Sequence, residues 1–102
     1  VGLGALLGTL AGSSIGQSLD RADMMYAQQA SQRAQTAPIG SAITWNNPES
    51  GNSGVITPVR DGRSREGRYC REYSQSIVVD GRKETGYGTA CQNPDGTWQV
   101  VN

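Results

Sequence analysis

Residues 67–92 read GRYCREYSQSIVVDGRKETGYGTACQ, and the punctuation of this stretch decides the fold. Two partly alternating runs rich in aromatic and β-branched residues flank Asp80-Gly81. The glycine of that dipeptide takes positive φ without steric cost, which favours a tight hairpin turn. Counting outward, Cys70 stands ten residues before Asp80 and Cys91 ten after Gly81. In an antiparallel pair these positions face each other with β-carbons about 4.5–5.5 Å apart. A disulfide needs about 3.5–4.5 Å, so modest twist or a bulge has to close the gap. Cys70 and Cys91 are the whole thiol inventory. They are expected to form one disulfide, which fits an oxidising compartment; two reduced buried thiols are the alternative. The closed loop contributes about 3 kcal/mol in the chain-entropy description. Without a CxxC spacing, a redox-active pair is not expected.

Working outward from this hairpin, turn signals recur at 47–51 (NPESG), 61–62 (DG) and 93–96 (NPDG). They separate expected strands at 42–46, 54–60, 67–79, 83–92 and 97–101, an antiparallel meander of about five strands. Trp45 and Trp98 are the largest apolar side chains and are expected in its core, the other reading being an exposed aromatic site for a carbohydrate or peptide. Tyr69, Tyr73 and Tyr87 admit either role. Arg60, Arg63, Arg65, Arg68 and Arg71 crowd one stretch, interrupted by Asp61 and Glu66. A solvated face is the ordinary meaning of such a cluster; contact with lipopolysaccharide or anionic lipid headgroups is the functional one.

Upstream of Pro38 the physics changes. Residues 1–19 carry no charge, and Gly4, Gly8, Gly12 and Gly16 recur at a strict spacing of four. On a helix that spacing makes one smooth stripe, with Leu3, Leu6, Leu7, Leu10 and Ile15 elsewhere on the surface. In water each such glycine costs about 1 kcal/mol relative to alanine, whereas in a bilayer the helix is enforced and small stripes let helices approach closely. Sixteen residues span about 24 Å, short of a roughly 30 Å hydrocarbon core, so a helical hairpin with an upstream partner is expected. The helix is expected to continue through 18–37, leaving the membrane at Asp20, Arg21 and Asp23. Met24, Met25 and Tyr26 would then lie near the interface, packing on the β domain being the alternative for the two methionines, and Pro38 should end the helix. The expected fold is therefore α+β: residues 1–37 as a glycine-zipper membrane helix with a polar extension, and 38–102 as a small antiparallel meander or barrel-like domain with one disulfide.

Composition narrows the functions. The 102 residues carry nine basic and nine acidic side chains, a formal net charge of zero, which argues against a general nucleic-acid binder. The chain has no His, the commonest general base and metal ligand. No nucleophile elbow, metal-ligand cluster or phosphate loop is present, so neither catalysis nor a cofactor is expected. Val1 reads as the edge of a longer protein, any signal peptide or lipidated cysteine lying upstream.

The ordered motifs resemble the glycine-zipper surface antigen lipoproteins of proteobacteria, the group that includes the rickettsial seventeen-kilodalton antigen. They are the four-spaced glycines, Leu19-Asp20-Arg21-Ala22-Asp23, Trp45-Asn46-Asn47-Pro48 with Gly51 and Gly54, Cys70-Arg71-Glu72-Tyr73, Gly88-Thr89-Ala90-Cys91 and Pro94-Asp95-Gly96-Thr97-Trp98. The resemblance implies a lipoprotein of the Gram-negative outer membrane, facing the periplasm or the cell surface, with a structural role and no catalysis. The glycine stripe suggests self-association or packing on other envelope proteins. The other function in view is an accessory binding subunit of a secretion or pilus machine, or a module that grips peptidoglycan or lipopolysaccharide.

Overall fold

The Asp80-Gly81 turn closes with φ of 52° and 78° at its two residues, the pair of positive values that a type I′ hairpin requires. It joins β3 (Tyr69–Val79) to β4 (Arg82–Gln92) in register from Val79–Arg82 out to Cys70–Cys91. A two-residue turn is flanked by a hydrogen-bonded pair, and bonded and non-bonded pairs then alternate outward. Nine steps out from Val79–Arg82 the pair is a non-bonded one, where strands approach most closely. The Cα atoms of Cys70 and Cys91 are 4.0 Å apart there, and a disulfide joins them.

The computed structural model describes residues 15–101. Around the central hairpin, β1 (Ile43–Asn46), β2 (Ser53–Arg63) and β5 (Trp98–Val100) complete an antiparallel sheet in the order β1-β2-β3-β4-β5. The sheet is open, with β1 and β5 at its edges, and does not take the barrel-like form expected. The Asp61-Gly62 dipeptide does not turn the chain either. An irregularity between Pro58 and Arg60 inserts Val59 as an extra residue, after which β2 runs on to pair Asp61 with Arg71 and Gly62 with Cys70. The turn comes later, at 64–67, where Gly67 takes φ of 81° and donates its N–H to the Ser64 carbonyl.

One face of the sheet is the core. Trp45, Ile56, Pro58, Tyr73, Ile77, Val79, Ala90 and Trp98 are buried on it, and the Tyr69 ring meets Trp98 edge-on at 5.8 Å. Helix α1 (Arg21–Thr36) covers this face over β1 and β2 with Ala27, Ala30 and Ala34, all fully buried. Residues 27, 30, 31 and 34 form one stripe of the helix, and their small side chains let it sit low on the sheet. The helix thus shares a single core with the strands.

These facts correct the expected fold class. Among the described residues no helix is long and apolar enough to cross a membrane. Gly4, Gly8 and Gly12 lie outside the described residues, while Gly16 is buried in a 3-10 turn, Gly16–Ser18. Leu19 and Asp20 are extended, so α1 is no continuation of a preceding helix but starts afresh at its own N-cap. Met24, Met25 and Tyr26 are exposed on α1 instead of packing on the strands.

Trp45 stands directly opposite Gly54, and its indole lies over that glycine. A Cβ added at Gly54 would come within 2.6 Å of Trp45 Cε2 and 2.9 Å of the Ser76 carbonyl oxygen. Gly62 has open space in the same position. Gly54→Ala is therefore expected to destabilise by about 1–3 kcal/mol through overpacking, whereas Gly62→Ala should stay within about 0.5 kcal/mol. Urea denaturation of the two variants checks the contrast.

Candidate functional site

Asp20 caps α1, accepting the Asp23 N–H at 2.7 Å through Oδ1 while Asp23 Oδ2 accepts the Asp20 N–H at 3.0 Å, a reciprocal capping box. Asp23 does more than cap. It is fully buried, and the β1–β2 connection delivers three further donors to it. Asn47 Nδ2 and Ser50 Oγ both donate to Oδ1 at 2.7 Å, and Asn52 Nδ2 donates to Oδ2 at 2.8 Å. Each carboxylate oxygen thus accepts two hydrogen bonds. Burial pushes the carboxyl pKa up, but the bonds from Asn52, Ser50, the Asp20 backbone and Asn47 outweigh it, and the net direction is downward. The connection is shaped for this task. Gly51, at φ of 77°, returns its N–H to the Asn47 carbonyl, and the Ser50 hydroxyl accepts the Asn52 N–H.

The other end of α1 is held from β3. Arg71 is only 6% exposed. Its Nη1 donates to the Ala34 carbonyl at 2.8 Å, and its Nε lies 2.8 Å from Asp61 Oδ1 and 2.9 Å from the Tyr69 hydroxyl. A guanidinium on a last-turn carbonyl satisfies an orphan acceptor and complements the negative end of the helix dipole. Burial pulls the Arg71 pKa down, and the Tyr69 hydroxyl and Asp61 charge more than restore it. Beside it, burial pushes the Tyr73 phenol up to about 12 against the opposing charge of Arg71.

The five arginines singled out in the sequence do not form one patch, although Arg63 borders one cavity with Arg68 and another with Arg60. Arg71 is part of the core. Arg68 donates to the Gln92 carbonyl and Asn93 Oδ1, fastening the β4–β5 turn. Arg63 donates to the Gly67 carbonyl and sits over the Tyr69 ring, with 5.9 Å to its centroid. Arg60 pairs with Glu72 on the far side of the sheet, and Arg65 is exposed in the 64–67 turn. The two tryptophans are 5% and 6% exposed. Among the described residues no group of His, Cys, Asp and Glu is placed to hold a metal ion.

The sheet face opposite α1 is one of the exposed surfaces. Alternation places Ser74, Thr85, Tyr87, Thr89 and Glu72 there, with the disulfide at one end. Tyr87 is 74% exposed, more than any other large apolar residue described. It borders a cavity of about 400 Å³ lined also by Val59, Glu72, Tyr73, Gly88 and Thr89. From the sequence Tyr87 admits a core or an exposed role, and only the β3–β4 register places small side chains beside it. Asp23 reads there as a membrane exit, since no sequence signal says that three loop donors will meet a helix carboxylate.

Comparison with known proteins bears on these motifs. The 17 kDa outer membrane surface antigen family matches residues 32–99. The 17 kDa surface antigen of Rickettsia bellii is 50% identical over 103 residues, covering 100% of this chain and 65% of its own length. That of Rickettsia conorii is 50% identical over 85 residues, covering 82% of this chain and 54% of its own length. That of Rickettsia prowazekii is 50% identical over 84 residues, covering 81% and 53% respectively. The chain thus spans between about half and two thirds of these relatives. No solved structure matches it.

The Asp23 site makes a testable demand. Asp23→Asn keeps the shape but sets an amide N–H₂ against donors, and should destabilise by about 3 kcal/mol at neutral pH. Because the folded pKa lies below the ordinary value of 3.8, the carboxylate's contribution is fully present above 3.8 and is lost as pH falls through the folded value. The stability gap between wild type and Asp23→Asn should therefore narrow in acid, as denaturant titrations at pH 7 and below pH 3.8 would reveal.

Proposed function

On the premise that the chain belongs to the 17 kDa outer membrane surface antigen family, we propose that it is a non-catalytic structural protein of a Gram-negative outer membrane. In this reading the helix and sheet form a rigid module at the periplasmic or outer surface, and the protein assembles with its own copies or with other envelope proteins. The observation that carries it is the use made of the buried charges. Asp23 and Arg71, the only charged side chains buried among the described residues, fasten α1 to the β1–β2 connection and to β3. A catalytic site would hold such groups ready for a substrate. The Cys70–Cys91 disulfide supports a location in an oxidising compartment.

The second reading, an accessory module that binds an envelope component, loses two of its supports: both tryptophans are buried and the arginines are dispersed. The exposed Tyr87 ring is the observation that favours it.

The native mass of the full-length protein, extracted in detergent from its own envelope, tests the structural reading. A discrete homo-oligomer or a fixed-ratio complex with another envelope protein is the expected result. A monomer with no stable partner overturns it. A parallel preparation carrying Gly8→Leu and Gly12→Leu shows whether the association runs through the four-spaced glycines.

A further inference from the structure

Tyr87 stands on a strand whose neighbours on the same face are Thr85 and Thr89, and Ser74 lies directly opposite on β3. None of these side chains is tall enough to shelter an aromatic ring, which accounts for the 74% exposure. The cavity beside the ring has a second apolar wall in Val59, the extra residue of the β2 irregularity, which is 45% exposed. Between these walls lies Glu72. Arg60 donates to it through Nε at 3.0 Å and through Nη2, and both bonds run to Oε2. The pair orients the carboxylate and leaves its Oε1 outside the pair. Two apolar side chains and a carboxylate thus border one open depression of about 400 Å³ on this face.

The chemistry of the lining selects among ligands. Arg60 neutralises Glu72, so a cation gains little here. The pair leaves no net charge for a free anion either, and the Glu72 carboxylate at the cavity disfavours an acyl chain. A pyranose ring suits both halves: its C–H face stacks on the electron-rich face of a tyrosine, and its hydroxyls meet the Glu72 carboxylate. We propose that the Tyr87 cavity is a glycan subsite that seats one pyranose ring of an envelope saccharide, with Tyr87 as the stacking platform and Glu72 as the orienting acceptor. This goes beyond the structural role and does not depend on how the protein assembles.

Envelope saccharide reaches such a site from peptidoglycan or from lipopolysaccharide, and two probes separate the sources. Full-length protein is titrated with a β-1,4-linked N-acetylglucosamine tetrasaccharide and, separately, with lipopolysaccharide core oligosaccharide. Calorimetry reads affinity, and saturation-transfer NMR reads which ring protons touch protein. At least one probe should bind saturably, with transfer concentrated on one ring. Tyr87→Ala should weaken that binding about tenfold or more, and Tyr87→Phe should retain it. Which probe binds identifies the source. Binding of neither probe, or equal binding by Tyr87→Ala, overturns the proposal. Circular dichroism and native mass of Tyr87→Ala serve as controls. If that variant is folded but loses its assembly and no saccharide binds, the ring is a protein contact and the glycan subsite is overturned. Unchanged mass with no saccharide binding overturns the subsite alone and leaves the structural reading in place.

Discussion

The start of the helix is fixed on the sheet by one buried carboxylate with no cation beside it. Asp23 is stabilised by four dipolar donors from two segments of chain, the helix N-terminus and the β1–β2 connection. A buried charge in that position is costly unless every donor arrives, so helix, loop and strands are coupled to one another. Asn52 extends the coupling. It donates to Asp23 and lies 3.4 Å from the Asp80 N–H through its own Oδ1, which ties the helix start to the central hairpin. The alanine stripe alone would not fix the helix in place. Three methyl groups bury little area and present a smooth surface, so they permit close approach but specify position weakly. The register of α1 comes from its polar ends, Asp23 at the start and the Ala34 carbonyl under Arg71 near the finish.

The Val59 irregularity divides labour between the two sheet faces. Before it, β2 sends Gly54, Ile56 and Pro58 to the core; after it, Asp61 faces Arg71 while Arg60 faces Glu72 on the other side. One inserted residue thus supplies the counter-ion that makes a buried arginine tolerable and also an ion pair for the open face.

Legibility in the sequence followed how local the determining physics was. The hairpin at Asp80-Gly81 and the facing of Cys70 and Cys91 could be read because turn chemistry and period-two counting act over neighbouring residues. The identical dipeptide at Asp61-Gly62 misled, because its fate is set by pairing with Arg71 and Cys70 across the sheet. Residues 21–37 are legible as a helix that stops before Pro38, but their packing on the sheet is not. Ala27, Ala30 and Ala34 give almost no hydropathy signal, so the buried stripe was invisible beside the conspicuous glycines upstream. Asp23, read as a marker of water, is the most thoroughly buried charge described. Its three loop partners lie 24 to 29 residues away, beyond any periodicity. Tyr87 fell between: its strand was legible, but its exposure depends on the side chains beside it.

The distribution of side chains then constrains how this module meets other molecules. On the helix side, aromatic, aliphatic and ionised groups are withdrawn into one interlocked set, and disturbing any of them disturbs the fold. A surface that evolves contacts freely has to be decoupled from that set. The opposite face satisfies this condition, since its hydroxyl residues rest on strands already fixed by the core and by the disulfide at one end. Substitution of Tyr87 or Thr85 there changes what the face presents without reaching Asp23 or Arg71. Recognition on the open face and architecture on the covered one are therefore separable in this fold.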